Sequence, residues 1–187
     1  MRELLAAVAP PGTATAAVPV ADGEHEAGRS AALEAMSTLG AGGEVGADAH
    51  GVPVFPSGLV GSISHSSGVA VAVVGSGFSG LGVDIEGRLG LPAEMHGSVA
   101  SPTELVAAAD MHACGPSEAA VLLFCAKEAL YKAHFPLRRQ RYEFRDIELV
   151  VDGFGWRGRG DVLGGDVLRV SVRPSAAAGF VAAVAHW

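Results

Sequence analysis

The sequence predicts an α+β fold with antiparallel sheets, built from two units that each combine a helix with a small sheet. Three observations support this prediction. The apolar patterns follow the order helix, strands, helix, strands, rather than the regular strand–helix alternation of doubly wound proteins. The segment GVAVAVV at 68–74 resembles GFVAAVAH at 179–186, and each would end its own unit. Nearly half of the 187 residues are hydrophobic, which indicates a folded rather than a disordered chain.

In the first half, one helix precedes three strands. The helix is predicted over Glu24–Leu39, where alanines and a leucine recur every four residues before Gly40. Strands are predicted over Leu59–Ser64 and Val69–Val74, joined by a Ser-Ser-Gly turn, and over Leu81–Glu86.

The second half repeats this pattern around a longer helix. A loop is predicted from Gly90 to Cys114, with a short helix at Thr103–His112. The clearest helix of the sequence begins at Pro116 and is expected to end before Pro136, because proline disfavours helical backbone in the residue that precedes it. Four strands are predicted to follow: Phe144–Val151, Trp156–Val162, Val167–Val172 and Phe180–His186.

Composition and charge exclude several classes of protein. The first twenty residues hold a short apolar run broken by two prolines, which does not suit a signal peptide or a membrane span. Cys114 and Cys125 provide neither a disulfide framework nor a zinc spacing, so a cytoplasmic protein without a membrane partner is expected.

The net charge of −7 is unevenly distributed. Residues 1–115 combine three arginines with twelve carboxylates, whereas residues 116–187 combine ten basic with eight acidic residues. Six of the basic residues lie between Lys127 and Arg145, and either a solvated helix and loop or a local anion site would explain them. Nucleic acid is not an expected partner, because no broad basic face with interleaved aromatic residues occurs.

Two motifs that suggest other chemistries do not fit their surroundings. GSGFSG at 75–80 matches the glycine pattern of dinucleotide-binding proteins, but a strand-like segment follows where that pattern needs a helix. A hairpin turn is the better interpretation of these glycines. Ser62 and Ser64 lie beside His65, but neither serine has the flanking glycines of a hydrolase nucleophile elbow.

Three segments carry residue types suited to phosphate chemistry. Asp84 and Glu86 are two apart on a predicted strand, so their carboxylates share one face; a strand end running into solvent would also explain them. Glu128 and Lys132 are four apart on the long helix, which suits a surface ion pair, although the helix around them is largely apolar. His65 ends a strand, where a turn residue with a satisfied side chain is the common interpretation.

Lysine usage favours a chemical role for the helix. Lys127 and Lys132 are the only lysines of a chain with eleven arginines. Lysine presents a compact charge that can release a proton, which arginine does not do at accessible pH. Two lysines retained beside Glu128 therefore favour chemistry over a purely structural pair.

Together these residues suit attack at a diphosphate. Asp84, Glu86 and Glu128 would offer three hard oxygen ligands for Mg²⁺, which completes its shell with water and substrate phosphate. Zinc would require the absent cysteine and histidine spacing. Lys132 and His65 would face the same phosphate.

The motifs resemble a known family. SISHS at 62–66, LGVDIE at 81–86 and FCAKEALYKAHFP at 124–136 resemble the signature motifs of Sfp-type 4′-phosphopantetheinyl transferases, in the branch related to siderophore-synthesis enzymes. The resemblance implies a Mg²⁺-dependent transferase, with Mn²⁺ as an alternative, that moves the 4′-phosphopantetheine of coenzyme A to a serine of an apo acyl or peptidyl carrier protein. It also implies a monomer of two similar lobes related by pseudo-two-fold symmetry, which we place at 1–80 (coenzyme A-binding elements) and 81–187 (metal and catalytic helix).

The resemblance also implies a role for each candidate residue. Asp84, Glu86 and Glu128 resemble the metal ligands, and Glu128 or a metal-bound water would deprotonate the serine that attacks the β-phosphate. Lys132 would neutralise or protonate the departing 3′,5′-ADP. The expected contacts to the coenzyme A phosphates are Arg29, Ser64, His65 and Lys132.

The sequence departs from the family pattern where basic residues are expected. The N-terminus is short, and the segment expected before the first helix in this branch, with its extra basic residue, is absent. Ala21 stands about where another arginine is expected, and His50 replaces an arginine or lysine. These changes predict weaker coenzyme A binding or a narrower substrate range. The basic stretch Arg138–Arg145 is a candidate docking surface for the acidic carrier protein.

Two alternative functions remain open at this level. A catalytically weak or inactive relative that binds coenzyme A or a carrier would be expected to lack metal carboxylates, and none is missing. A Mg²⁺-dependent phosphohydrolase could use the same three carboxylates, but no aspartyl nucleophile motif occurs.

Overall fold

The computed structural model describes residues 1–21, 23–89, 91–151, 155–165 and 168–187. Within these ranges the α-helices are α1 Arg2–Ala6, α2 Glu24–Thr38, α3 Ala93–Val99, α4 Pro102–His112 and α5 Pro116–Arg138. The strands are β1 Thr13–Pro19, β2 Gly46–Ala47, β3 Pro53–Val54, β4 Val60–Ser66, β5 Val69–Gly75, β6 Leu81–Gly87, β7 Glu148–Val151, β8 Trp156–Arg159, β9 Arg169–Ser175 and β10 Phe180–His186. Two 3₁₀ turns, Phe144–Asp146 and Asp161–Leu163, complete the described elements.

The strands form two main antiparallel sheets and a short ribbon. The orders are β1-β5-β4, β6-β10-β9-β8-β7 and β2-β3. Helix α2 packs on the first sheet and α5 on the second. In each unit a first strand leads into the helix, and a later hairpin returns its last strand beside the first. The predicted α+β fold with two similar helix-and-sheet units is confirmed.

The segments singled out as a repeat occupy equivalent positions. Strands β5 and β10 each pair with the first strand of their unit on one side and with their hairpin partner on the other. Gly68 and Gly179 precede them with φ of +79° and +70°, a backbone conformation that glycine adopts without steric penalty. The internal similarity of the sequence therefore reflects the same turn and strand used twice.

Helix α5 lies unusually close to β6 because β6 carries a glycine. A Cβ atom at Gly82 would lie 1.9 Å from the carbonyl oxygen of Ala129, and one at Gly80, just before the strand, would lie 2.3 Å from that of Ala133. No side chain fits at these distances. The contact brings the helix face that carries Glu128 and Lys132 against β6.

The two units share a hydrophobic core. Val71 and Val73 of β5, Val83 of β6 and Val184 of β10 are buried in one cluster. Helix α1 covers this cluster with Leu5, which is fully buried. Burial of this apolar surface holds the two sheets together.

The structure corrects several predictions at the element level. Helix α5 continues through Pro136, because a proline in the last turn removes a single backbone donor, and the helix ends where Arg139 adopts φ of +55°. Residues 75–80 connect the two sheets rather than form a hairpin turn, since β5 and β6 do not pair with each other. The predicted strand at 144–151 begins instead with a 3₁₀ turn, and β7 starts at Glu148.

Other elements were absent from the prediction. The sequence did not indicate α1, β1 or α3, and Val167, the start of one predicted strand, lies outside the described residues. None of the helices in the described part of the chain combines the length and hydrophobicity of a transmembrane span.

Candidate active site

The site forms where β4 of the first unit lies beside β6 of the second. Ser64 Oγ donates to Asp84 Oδ1 at 2.8 Å, and Ser66 Oγ donates to Glu86 Oε2 at 3.3 Å. Both pairs are separated by 20 residues, so the two strands run in the same direction here and alternate residues face each other. Hydroxyl groups from one unit thus meet carboxylates from the other.

Lys132 joins this cluster from α5. Its Nζ donates to Asp84 Oδ1 at 2.6 Å and to Ser64 Oγ at 3.0 Å. The close approach at Gly82 makes this reach possible. One oxygen of Asp84 therefore has two hydrogen-bond donors.

The other oxygen of Asp84 has none. Asp84 is 3% exposed, and its Oδ2 is buried without a hydrogen-bond partner. An unpaired buried carboxylate oxygen is costly and rare. A bound cation would satisfy it.

Two further carboxylates lie near Asp84. Burial, followed by the charge of Asp84, holds the pKa of Glu128 above its usual value, and the same causes in the same order raise the pKa of Glu86. The three carboxylates are thus close enough to repel one another, although no group of three potential ligands among the described residues has the geometry of a finished metal centre. The repulsion and the unpaired Asp84 oxygen fit a hard divalent cation, which would relieve both.

A cavity of about 620 Å³ opens beside the cluster. Arg29, His65 and Lys132 line it together with the aromatic rings of Tyr131 and Phe135. The cavity thus combines basic side chains and the carboxylate of Glu24 with apolar walls.

Of the residues predicted to contact phosphate, His65 lines the cavity and Ser64 does not. His65 Nδ1 lies 3.4 Å from Glu24 Oε1 at the cavity wall. Ser64, by contrast, is 5% exposed and is not among the described residues that line the cavity. Its hydroxyl faces Asp84 and Lys132 instead.

A second, smaller cavity of about 270 Å³ shares lining residues with the first. Glu128 lines this cavity, and both Tyr131 and Arg141 line the two cavities at once. The sequence did not single out Arg141 or Ser66 as site residues. Two sequence patterns could have indicated them: Arg141 belongs to the basic run after α5, and Ser66 belongs to the alternating serines of β4.

Lys127 has a structural position. Its Nζ lies 2.7 Å from Glu104 Oε1 and donates to the carbonyl oxygens of Val99 and Phe144 at 3.0 and 2.9 Å. Lys127 and Glu104 are 2% and 4% exposed. The inference that both lysines have a chemical role is therefore wrong for Lys127, whose ion pair with Glu104 links α5 to α4.

Much of the basic stretch after α5 is engaged within the protein. Arg139 pairs with Asp48 at 2.6 Å, which links the β2–β3 loop to the end of α5. Arg138 stacks over Trp187, and Arg145 donates to two backbone carbonyls of the 97–100 segment. These contacts reduce the charge that the predicted docking stretch can offer to a partner.

Two family models match the chain in adjacent ranges. The 4′-phosphopantetheinyl transferase N-terminal domain matches residues 9–75, and the 4′-phosphopantetheinyl transferase superfamily matches residues 80–161. The gap between the matches falls on the connection between the two sheets. Together the matches cover most of the chain.

The chain is similar in sequence to several characterised proteins. The chain is 38% identical over 115 residues to the 4′-phosphopantetheinyl transferase PptT of Mycobacterium tuberculosis, covering 58% of this chain and 49% of that protein. It is 33% identical over 125 residues to the 4′-phosphopantetheinyl transferase Npt of Nocardia iowensis, covering 62% and 54%. It is 33% identical over 115 residues to Enterobactin synthase component D of Salmonella typhi, covering 59% and 47%. The chain spans about half the length of the relatives it matches.

The matched ranges contain every motif on which the resemblance was based. The serine strand lies in the first range, and the two carboxylate segments lie in the second. Both family descriptions agree with the family that the motifs indicated. The chain belongs to the 4′-phosphopantetheinyl transferase superfamily.

Proposed function

We propose that this protein transfers the 4′-phosphopantetheine of coenzyme A to a serine of an apo acyl or peptidyl carrier protein, releasing 3′,5′-ADP. One observation carries the proposal. Asp84 offers an unpaired buried oxygen, is held by Lys132 and lies among further carboxylates beside a cavity lined by cationic groups. Membership of the superfamily supports the same reaction.

The larger cavity is the proposed site for coenzyme A. Arg29, His65 and Lys132 on its wall would bind phosphate oxygens through charge-assisted hydrogen bonds. Tyr131 and Phe135 would cover apolar parts of the ligand. The cavity volume is within the range of small-molecule sites.

The proposed metal is Mg²⁺, with Mn²⁺ as an alternative. Asp84, Glu86 and Glu128 would hold it, and when bound it would supply positive charge that stabilises the reacting diphosphate. Carboxylate oxygens are the ligands that these ions prefer, and the unpaired oxygen of Asp84 supports the fit.

The remaining steps fall to protein side chains. The serine oxygen of the carrier forms a bond to the β-phosphate of coenzyme A, and the bond from that phosphorus to the oxygen of the 3′,5′-ADP leaving group breaks. Glu128 accepts the serine proton, since a carboxylate in this cluster can act as a general base. Lys132 neutralises the charge that develops on the leaving group.

The protein is proposed to act as a monomer, without nucleic acid or a membrane. Ser64, Asp84 and Lys132 contact one another within a single chain, so a second copy is not needed to build the site. Light scattering of the purified protein would test this. A dimer that dissociates with loss of activity would contradict it.

The direct test is to incubate the protein with coenzyme A, Mg²⁺ and several apo carriers, and to read each carrier's intact mass. Addition of phosphopantetheine is expected, and no addition to any carrier would sink the proposal. Loss of coenzyme A without carrier modification would favour a phosphohydrolase.

A variant pair tests the proposed roles. Glu128→Gln is expected to lower the rate by about 10²–10⁴-fold, the range for a general acid–base group. Glu118 lies nearly three turns earlier on the same helix and pairs with Arg88 rather than with a residue of the cluster, so Glu118→Gln should keep the wild-type rate. Full activity in Glu128→Gln would refute the role of Glu128.

A further inference from the structure

The proposed reaction assigns roles to the carboxylates of β6 but none to the serines of β4 that contact them. Ser64 and Ser66 come from the first unit, whereas Asp84 and Glu86 come from the second. We propose that Ser64 is a positioning residue for the cation site: it fixes the Asp84 carboxylate so that Oδ2 faces the cation, and Ser66 does the same for Glu86. This inference rests on the metal binding in the proposed function.

The hydrogen bonds of Ser64 leave it no proton for a phosphate. A serine hydroxyl has one proton to donate and two lone pairs that accept. Ser64 donates to Asp84 Oδ1 at 2.8 Å and accepts from Lys132 Nζ at 3.0 Å. Its burial, at 5% exposed, separates it further from the cavity. Ser64 therefore acts through Asp84 rather than by binding the ligand.

The contact also settles the orientation of the carboxylate. The terminal torsion of an aspartate is broad and has no sharply preferred angle. Two donors on Oδ1, Ser64 and Lys132, select one orientation and leave Oδ2 buried and unpaired. Hydrogen-bonding partners of ligating carboxylates change metal affinity by about 10–100-fold when they are removed.

Ser66 is expected to contribute less than Ser64. Its hydrogen bond to Glu86 is longer, at 3.3 Å, and Glu86 is only partly buried. A longer bond to a more solvated carboxylate constrains it less. The two serines should therefore rank in the order of their distances.

The test measures Mn²⁺ binding to the full chain by electron paramagnetic resonance, with and without coenzyme A. Ser64→Ala is expected to weaken Mn²⁺ affinity by about 10–100-fold, and Ser66→Ala to fall at or below the lower end of that range. Ser64→Thr keeps a hydroxyl and should recover most of the affinity. Ser171→Ala, on β9 outside the cluster, is the matched control and should bind like wild type, with thermal unfolding checking that each variant folds.

Each outcome decides the proposal. Unchanged Mn²⁺ affinity in Ser64→Ala, with a raised KM for coenzyme A, would show that Ser64 contacts the ligand directly. Wild-type protein that binds no Mn²⁺ under either condition would also overturn the role. If Ser64→Ala does not fold, Ser66→Ala is the deciding variant: a weakened Mn²⁺ affinity would support the positioning role, and an unchanged affinity would overturn it. Because binding is measured without a carrier, a protein that modifies no carrier can still support or refute the positioning role.

Discussion

Substitution of Gly82 by alanine tests the contact that assembles the site. The new Cβ would lie 1.9 Å from the carbonyl oxygen of Ala129 and 2.6 Å from the amide nitrogen of Ala133, and both are backbone atoms of α5. Ordinary contact begins at 3.4 Å, so the helix and β6 must separate by about 1.5 Å. The hydrogen bond from Lys132 Nζ to Asp84 Oδ1, now 2.6 Å, cannot survive that movement without rearrangement.

The expected effects are large in both stability and rate. Overpacking of this kind destabilises by about 1–3 kcal/mol or more, and each kcal/mol lowers the Tm of a domain this size by about 2–4 °C. Displacement of reacting groups by about 1 Å lowers the rate by about 10²-fold. Calorimetry and kcat/KM for carrier modification measure the two effects.

A matched control separates strain from the loss of a glycine. Gly97, in α3, has open space around its Cβ position and no positive φ, so Gly97→Ala should be neutral or slightly stabilising. If Gly82→Ala keeps both the Tm and the kcat/KM of wild type, the close approach of α5 to β6 does not position the site.

Substitutions in two ion pairs away from the reacting groups are expected to change stability, its pH dependence or the KM for coenzyme A. Lys127→Met leaves Glu104 buried without its cation and should cost about 3–5 kcal/mol in urea unfolding; wild-type stability would refute the structural assignment of the lysine. Burial opposes ionisation of Glu104, but hydrogen bonds from Lys127 and two backbone amides outweigh it and lower its pKa. Its stabilising contribution is therefore present above the unfolded pKa of about 4.3 and lost as pH falls through the lower folded value. Glu104→Gln should flatten the acid side of a stability–pH curve, and an unchanged curve would contradict this. Asp48→Asn weakens a partly exposed pair with Arg139 and should change stability by about 1 kcal/mol or less, yet raise KM for coenzyme A by loosening the loop that lines the cavity; an unchanged KM would exclude that role.

Sequence patterns predicted the elements whose signals are local. Helix α2 and strand β10 match their predictions within one residue, because a four-residue apolar period and a continuous apolar strand need no tertiary information. Helix α1 has five residues, too few to be stable or recognisable without the core that it covers. Pro136 shows the opposite error, since a local rule ended a helix that tertiary contacts carry further.

The sequence was sufficient to predict which charged residues form the site, but not which side chains contact one another there. Spacing placed Asp84 beside Glu86 and Glu128 beside Lys132, and the structure brings Asp84 and Lys132 together. Which hydroxyl from the first unit meets which carboxylate depends on how the two sheets dock, and no period along the chain encodes that. The pairing of Lys127 with Glu104 was hidden for the same reason.

The two sheets have matching strand registers, so the position of Asp84 in the second sheet has a counterpart in the first, and that counterpart is not a carboxylate. Asp84 lies opposite Ala183 of β10, and Ala16 lies opposite Ala72 of β5, at the corresponding place in the first sheet. An apolar residue thus occupies the counterpart of the carboxylate. In the proposed function, the second unit therefore supplies the carboxylates of the reaction centre, and the first unit supplies Ser64 and Ser66, which contact two of them.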